Sequence, residues 1–176
     1  DALAYIHSKS INHLDIKPGN IMLRREDHRI LLIDFGVSKQ YDQDTFEGTT
    51  TTPVGISHGY SPAEQYRKNG VQSFSPQSDV YALAATLYYA LVGKDPVIAT
   101  ELSEEKIRAA LNGNSNHVVS AIVEAMRMHK GERTLSVRKM MQTLDGVYSE
   151  PLNKTKQAKV HATKRIKLEE KKKKKK

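Results

Sequence analysis

The stretch His13-Leu14-Asp15-Ile16-Lys17-Pro18-Gly19-Asn20, continued by Ile21-Met22-Leu23, Ile30-Leu31-Leu32-Ile33 and Asp34-Phe35-Gly36, decides the fold. Pro18-Gly19 punctuates residues 11–20 as an irregular loop. Two short apolar runs around the charged turn Arg25-Glu26-Asp27-His28 predict a β-hairpin. A hairpin folds its two ends together, so Asn20 and Asp34 are expected close in space. An Asn oxygen and an Asp carboxylate are hard donors, suited to Mg²⁺ completed by water and phosphate. Asp15, upstream in the same loop, is placed to orient an attacking hydroxyl or take its proton. Lys17 adds a mobile cation suited to a transferring phosphate, and Gly36 permits unusual backbone angles where the chain leaves the site. Taken singly, each has a plainer reading: Asp15 and Asn20 as turn residues, Lys17 as a solvated charge, Asp34 as a turn cap.

Outward from this core, residues 1–9 read as helix with no N-cap before them, so the chain is expected to be a fragment whose upstream part is missing. Residues 36–60 are rich in Gly, Thr, Ser and Asp and show neither helical nor strand periodicity. After Pro62 the pattern turns helical. Ala63-Glu64-Gln65-Tyr66 predicts a short turn of helix, and Ser75-Pro76-Gln77-Ser78-Asp79 starts a long apolar helix that Gly93 ends. Amphipathic helices are predicted over residues 101–111, 117–129 and 136–148, the last with Val137, Met140, Met141, Leu144 and Val147 on one face. The fold class is α+β, mainly helical with one or two small hairpins.

The 176 residues favour one domain with a tail. The net charge of +8 is unevenly spread. Residues 151–176 hold 12 of the 28 Lys and Arg and two of the 20 acids, for +10, which leaves −2 for residues 1–150. This segment lacks aromatics and has few large apolar residues, so a disordered Lys-rich tail is expected over 149–176. Such a run binds polyanions by counterion release when it binds anything, and is otherwise a solvated end. There is no Cys, which excludes disulfides and thiolate chemistry and fits a reducing, cytoplasmic location. No apolar run reaches the ~18 residues of a membrane span, and no membrane contact is expected.

The ordered set His-Leu-Asp-Ile-Lys-Pro-Gly-Asn and Asp-Phe-Gly, at 13–20 and 34–36, resembles the catalytic and metal-binding loops of eukaryotic-like Ser/Thr protein kinases. Gly59-Tyr60-Ser61-Pro62-Ala63-Glu64-Gln65 is similar to the segment that closes the family's activation loop, and Ser78-Asp79-Val80-Tyr81-Ala82-Leu83 to the start of the central helix of the large lobe. The resemblance covers residues 1–148 and maps onto the large, C-terminal lobe only. It implies transfer of the γ-phosphoryl of ATP to protein Ser or Thr hydroxyls. Asp15 is then the catalytic base, Lys17 stabilises the transferred phosphate, and Asn20 and Asp34 hold Mg²⁺. Ser57 falls where the family keeps a Thr that contacts the catalytic Asp and Lys, close to substrate docking. Glu64 is implied to pair with Arg133, and Asp79 to cap the catalytic loop; His13 is expected to be structural. The Ser/Thr branch is preferred because Lys17 sits two residues after Asp15.

Three departures stand out. Leu14 replaces the Arg that often precedes the catalytic Asp and pairs with a phosphorylated activation loop, so phosphorylation at Thr49–Thr52 is not expected to be the main switch. Pro62 stands one position earlier than the family's usual Ala-Pro-Glu, as in some bacterial members. No Gly-rich loop or strand Lys precedes Asp1, so the partner implied is an N-terminal, ATP-clamping lobe of the same parent chain, and the isolated fragment is expected to be weakly active or inactive. The alternative is a pseudokinase or truncated scaffold acting by protein binding.

Overall fold

The structure, a computed structural model, describes residues 2–42, 44–45, 55–66 and 73–147. The Thr49–Thr52 run and the Lys-rich tail of 149–176 lie outside the described residues. The chain runs through helix α1 (Ala2–Ser8), strand β1 (Ile11–Asn12), a 3-10 turn at Pro18–Asn20, strands β2 (Ile21–Leu23), β3 (Ile30–Leu32) and β4 (Lys39–Gln40), and a second 3-10 turn at Ala63–Tyr66. Helices α2 (Pro76–Val92), α3 (Glu104–Ala110), α4 (Asn116–Ala125) and α5 (Val137–Leu144) complete it, with a 3-10 turn at Lys130–Glu132 between the last two.

β2 and β3 form the antiparallel hairpin expected between the two site loops, with Ile21 opposite Leu32 and Leu23 opposite Ile30. The place of a second ribbon, allowed for in the fold class, was not legible in the sequence. β1 lies inside the stretch read as irregular loop, and pairs antiparallel with β4, Ile11 opposite Gln40 and Asn12 opposite Lys39. Two-residue strands carry too few alternating positions to give a periodic signal.

α2 is the spine of the helical core. Pro76 sits in its first turn, where a missing N–H costs nothing, and Gly93 ends it at φ 74°, a conformation that suits glycine. Val80, Tyr81, Ala84 and Ala85 are buried, and the small alanines let neighbours approach closely. α4 packs against α2, α3 and α5, while α1 packs against α5. Ile107, Leu111, Ile122 and Met140 fill the centre, each contributing about 1.5–3 kcal/mol by leaving water.

The later helices start and stop where their caps dictate. Ser103, Ser115 and Ser136 accept the N–H of Lys106, Val118 and Lys139. α3 therefore begins at Glu104 and not at 101, and α4 ends at Ala125, four residues short of the expected 129. The apolar face predicted for the last helix is corrected in part. Val137 and Met140 are buried, but Met141 is 43% and Val147 71% exposed. α5 ends at Leu144 and the chain turns at Gly146 (φ 72°), so Val147 never enters the helical register, and Thr143 is buried instead.

Candidate active site

The site begins at Asp79, in the first turn of α2. Its carboxylate accepts the backbone N–H groups of His13 and Leu14, both at 2.8 Å, together with Asn12 Nδ2 at 3.1 Å and His7 Nε2 at 2.8 Å. Asp79 is fully buried, so these bonds replace the water it has lost. They also hold Leu14 at φ 69°, a left-handed conformation that costs a non-glycine residue about 1–2 kcal/mol. From that reversal the chain presents Asp15. Leu14 itself is buried, with its side chain against Tyr41, Phe74 and Val37 and its carbonyl accepting Gln65 Nε2 at 3.0 Å.

Asp15 is the hub. Ser57 Oγ donates to its Oδ1 at 2.6 Å, and Lys17 Nζ and Asn20 Nδ2 both lie 2.9 Å from its Oδ2. Lys17 Nζ also donates to Ser57 Oγ at 3.1 Å, which closes a triangle. Asn20 Nδ2 makes a second bond to the Asp15 carbonyl at 2.7 Å. Both amide hydrogens of Asn20 are thus spent on Asp15, and its Oδ1 is turned away as an acceptor. Of the four lone-pair sites on the Asp15 carboxylate, these contacts occupy three, and among the described residues the fourth, on Oδ1, takes no further hydrogen bond. Burial raises the Asp15 pKa, but hydrogen bonds from Ser57 and Lys17, the Lys17 charge and the Asn20 bond outweigh it and hold the carboxyl below its ordinary value.

Asp34 stands on the other side of the hairpin. The backbone seam is direct, since Ile33 N–H donates to the Asn20 carbonyl at 3.0 Å. Asp34 adopts φ 61° and its Oδ1 accepts the Gly36 N–H at 3.1 Å. No hydrogen bond joins its carboxylate to Asp15, Lys17 or Asn20, so the structure brings those three and Ser57 into one cluster and leaves Asp34 beside it. His13 bridges the two loops. Its Nδ1 accepts the Asp15 N–H at 3.4 Å, so Nε2 carries the proton and donates to the Ile33 carbonyl at 3.0 Å. Its ring meets Phe35 edge-on at 4.8 Å.

Ser57 is held from behind. Tyr60 N–H and Ser61 N–H both donate to its carbonyl, at 3.0 and 2.8 Å, and its own N–H donates to Ser61 Oγ at 2.9 Å. The following 3-10 turn carries Glu64, whose two oxygens accept Arg133 Nη1 and Nη2 at 2.6 and 2.8 Å. Ser78 Oγ adds a third bond to Glu64 at 3.0 Å, tying this segment to α2. His7, Asn12 and Gln65 were missed by sequence reasoning. Each is a single polar residue with no spacing relation to the loop it supports, so no pattern marks it.

Two hard oxygens, Asn20 Oδ1 and the Asp34 carboxylate, flank the seam, and among the described residues no three His, Cys, Asp or Glu side chains converge as a closed metal cage. This donor set fits Mg²⁺ held jointly by two side chains, nucleotide phosphates and water.

The protein kinase domain family matches residues 1–144. The chain is 39% identical over 157 residues to the Nostoc serine/threonine-protein kinase PknA, covering 85% of this chain and 27% of that protein. It is 37% identical to serine/threonine-protein kinase C of Synechocystis, covering 84% and 28%. Among solved structures, the apo form of PpkA-294 superposes with a TM-score of 0.60 at 25% identity, over 81% of this chain and 50% of that one. The Cydia pomonella granulovirus kinase PK-1 shares the fold, with a TM-score of 0.60 at 18% identity, over 81% and 54% of the two chains. The chain thus spans little more than a quarter of the relatives PknA and kinase C. With the site loops lying wholly within the matched residues, the chain belongs to the protein kinase family.

Proposed function

We propose that the protein containing this chain is an ATP-dependent protein Ser/Thr kinase, with residues 1–148 its large lobe. The observation that carries the reading is the Asp15–Lys17–Ser57 triangle, closed at 2.6, 2.9 and 3.1 Å. Asn20 and Asp34 are assigned to Mg²⁺. Bound Mg-ATP supplies the phosphoryl group, its negative charge partly neutralised by the metal.

Asp15 orients the substrate hydroxyl through its Oδ1. Its depressed pKa keeps it ionised at neutral pH, so it takes the hydroxyl proton late, as the oxygen–phosphorus bond forms. Lys17, already beside Asp15, is the cation for the charge on the moving phosphate. Ser57 holds both side chains at fixed spacing and stands next to the substrate hydroxyl, close to substrate docking. The Ser/Thr preference is supported by relatives named serine/threonine-protein kinases.

The reading requires a partner that clamps ATP, the N-terminal lobe of the same parent. Met22, Leu23, Ile30 and Phe35 on the hairpin side are exposed by 47–72%, which fits a face covered by that lobe and the nucleotide. No helix among the described residues is long and apolar enough to cross a membrane. A cytoplasmic location and polyanion binding by residues 151–176 are part of the same proposal.

The test is transfer of labelled phosphate from ATP to casein by the full-length protein. Asp15→Asn is expected to lower kcat by about 10²-fold or more. A wild-type rate in this variant removes the assigned base.

A further inference from the structure

The segment carrying Ser57 is fastened at a point well away from the reacting groups. Residues 57–61 form a tight turn in which Ser57 is bonded through its N–H, its carbonyl and its hydroxyl. Two contacts pin that turn to the loop after α2. Gly59, at φ 81°, lies so close to Pro96 that a Cβ there would fall 2.4 Å from the Pro96 carbonyl oxygen. Next to it, the buried Tyr60 donates its hydroxyl to the exposed carboxylate of Asp95. The same helix α2 holds the catalytic loop at its other end through Asp79. The spacing between Ser57 Oγ and Asp15 therefore depends on both ends of α2.

We infer that Asp95 is a positioning residue, which through Tyr60 fixes the turn that delivers the Ser57 hydroxyl to Asp15 and Lys17. The effect on rate rests on the kinase reading; the tether itself does not. Asp95 touches neither Asp15 nor Lys17, so its removal leaves their chemistry intact and loosens only their third partner. Displacement of a positioning group by a fraction of an ångström lowers turnover and spares nucleotide binding.

The experiment compares Asp95→Ala, Tyr60→Phe and Asp95→Asn in the full-length protein, with ATP and casein. Asp95→Ala and Tyr60→Phe are expected to lower kcat by about tenfold with KM for ATP changed less than about twofold, and the double variant to be no worse than either single one. Asn keeps an acceptor for the Tyr60 hydroxyl, so Asp95→Asn is expected to recover most of the rate. Amide hydrogen exchange gives a readout independent of turnover: in Asp95→Ala the Tyr60 and Ser61 amides are expected to exchange about tenfold faster, those of α2 unchanged. Unchanged exchange at Ser61 overturns the proposal, as does a loss of rate that Asn fails to recover. A wild-type protein that transfers no phosphate, yet shows the exchange effect, overturns the kinase reading and leaves the tether standing.

Discussion

Arg133 and Glu64 face each other as a two-pronged pair, 2.6 and 2.8 Å apart, with the guanidinium fully buried. Two of the three remaining guanidinium hydrogens go to the carbonyls of Arg127 and Met128, at 2.6 and 2.8 Å, so most of the charge is met by acceptors. Burial raises the Glu64 pKa, and the Arg133 bonds and charge reverse that and hold it below the ordinary value. Removing one partner strands the other without water. Arg133→Ala and Glu64→Ala are each expected to cost about 3–5 kcal/mol, and the double variant little more than either alone. Urea unfolding of the three variants checks this. Costs that simply add would show that the two residues act separately.

Asp79 carries a different load. Replacing it by Ala leaves two buried backbone N–H groups, of His13 and Leu14, without an acceptor. A lost bond to a charged acceptor is worth about 1.5–3 kcal/mol, so Asp79→Ala is expected to lower stability by about 3 kcal/mol or more. The loop conformation should go with it, because the left-handed Leu14 persists only while its N–H is held. Exchange of the His13 and Leu14 amides reports the loosening. Protection as in the wild type would mean that another group fixes the loop.

The residues that shape this site were legible to different degrees, for physical reasons. The β2–β3 hairpin could be read because two apolar runs flank a charged turn, and the order of the two site loops around it then followed. The helix limits were less legible, since Ser103 as a cap and Gly146 as a stop override apolar spacing at the ends, and Val147 was misplaced for this reason; Met141, inside α5, lies beside the buried stripe of Val137, Met140 and Thr143. The Glu64–Arg133 and Asp79–Leu14 contacts join residues 69 and 65 positions apart, and only the family resemblance suggested them. His7, Gln65 and Asp95 carry no signal at all. What each does depends on which loop lies opposite, and local periodicity does not encode that.

Leu14 stands where the resemblance to protein kinases implies an Arg before the catalytic Asp. Here its side chain is buried against Tyr41, Phe74 and Val37. Leu14→Arg therefore puts a guanidinium among apolar groups and is expected to cost about 3 kcal/mol or more. Leu14→Met keeps the volume and is expected to cost less than about 1.5 kcal/mol. Denaturant midpoints of the pair decide the matter. An Arg variant as stable as the wild type would mean that this pocket accepts charge.

Ser57 donates the shortest bond that Asp15 receives, at 2.6 Å, and is the foremost of the groups that offset burial. Removing that hydroxyl in Ser57→Ala takes away a bond that the ionised form accepts more strongly than the protonated one, so the Asp15 pKa rises. A carboxyl held low in the folded protein stabilises it above the unfolded-state value of about 3.9, and that contribution is lost as pH falls through the lower folded value. Ser57→Ala shrinks this contribution, so its stability at neutral pH should fall while the wild type and variant converge in acid. In phosphate transfer the acid limb of the kcat profile should lie below the ordinary carboxylate range in the wild type and move to higher pH in Ser57→Ala. Lys17 and Asn20 still hold Oδ2 in the variant, so the limb should move only part of the way. Profiles that superpose would show that the limb belongs to some group other than Asp15.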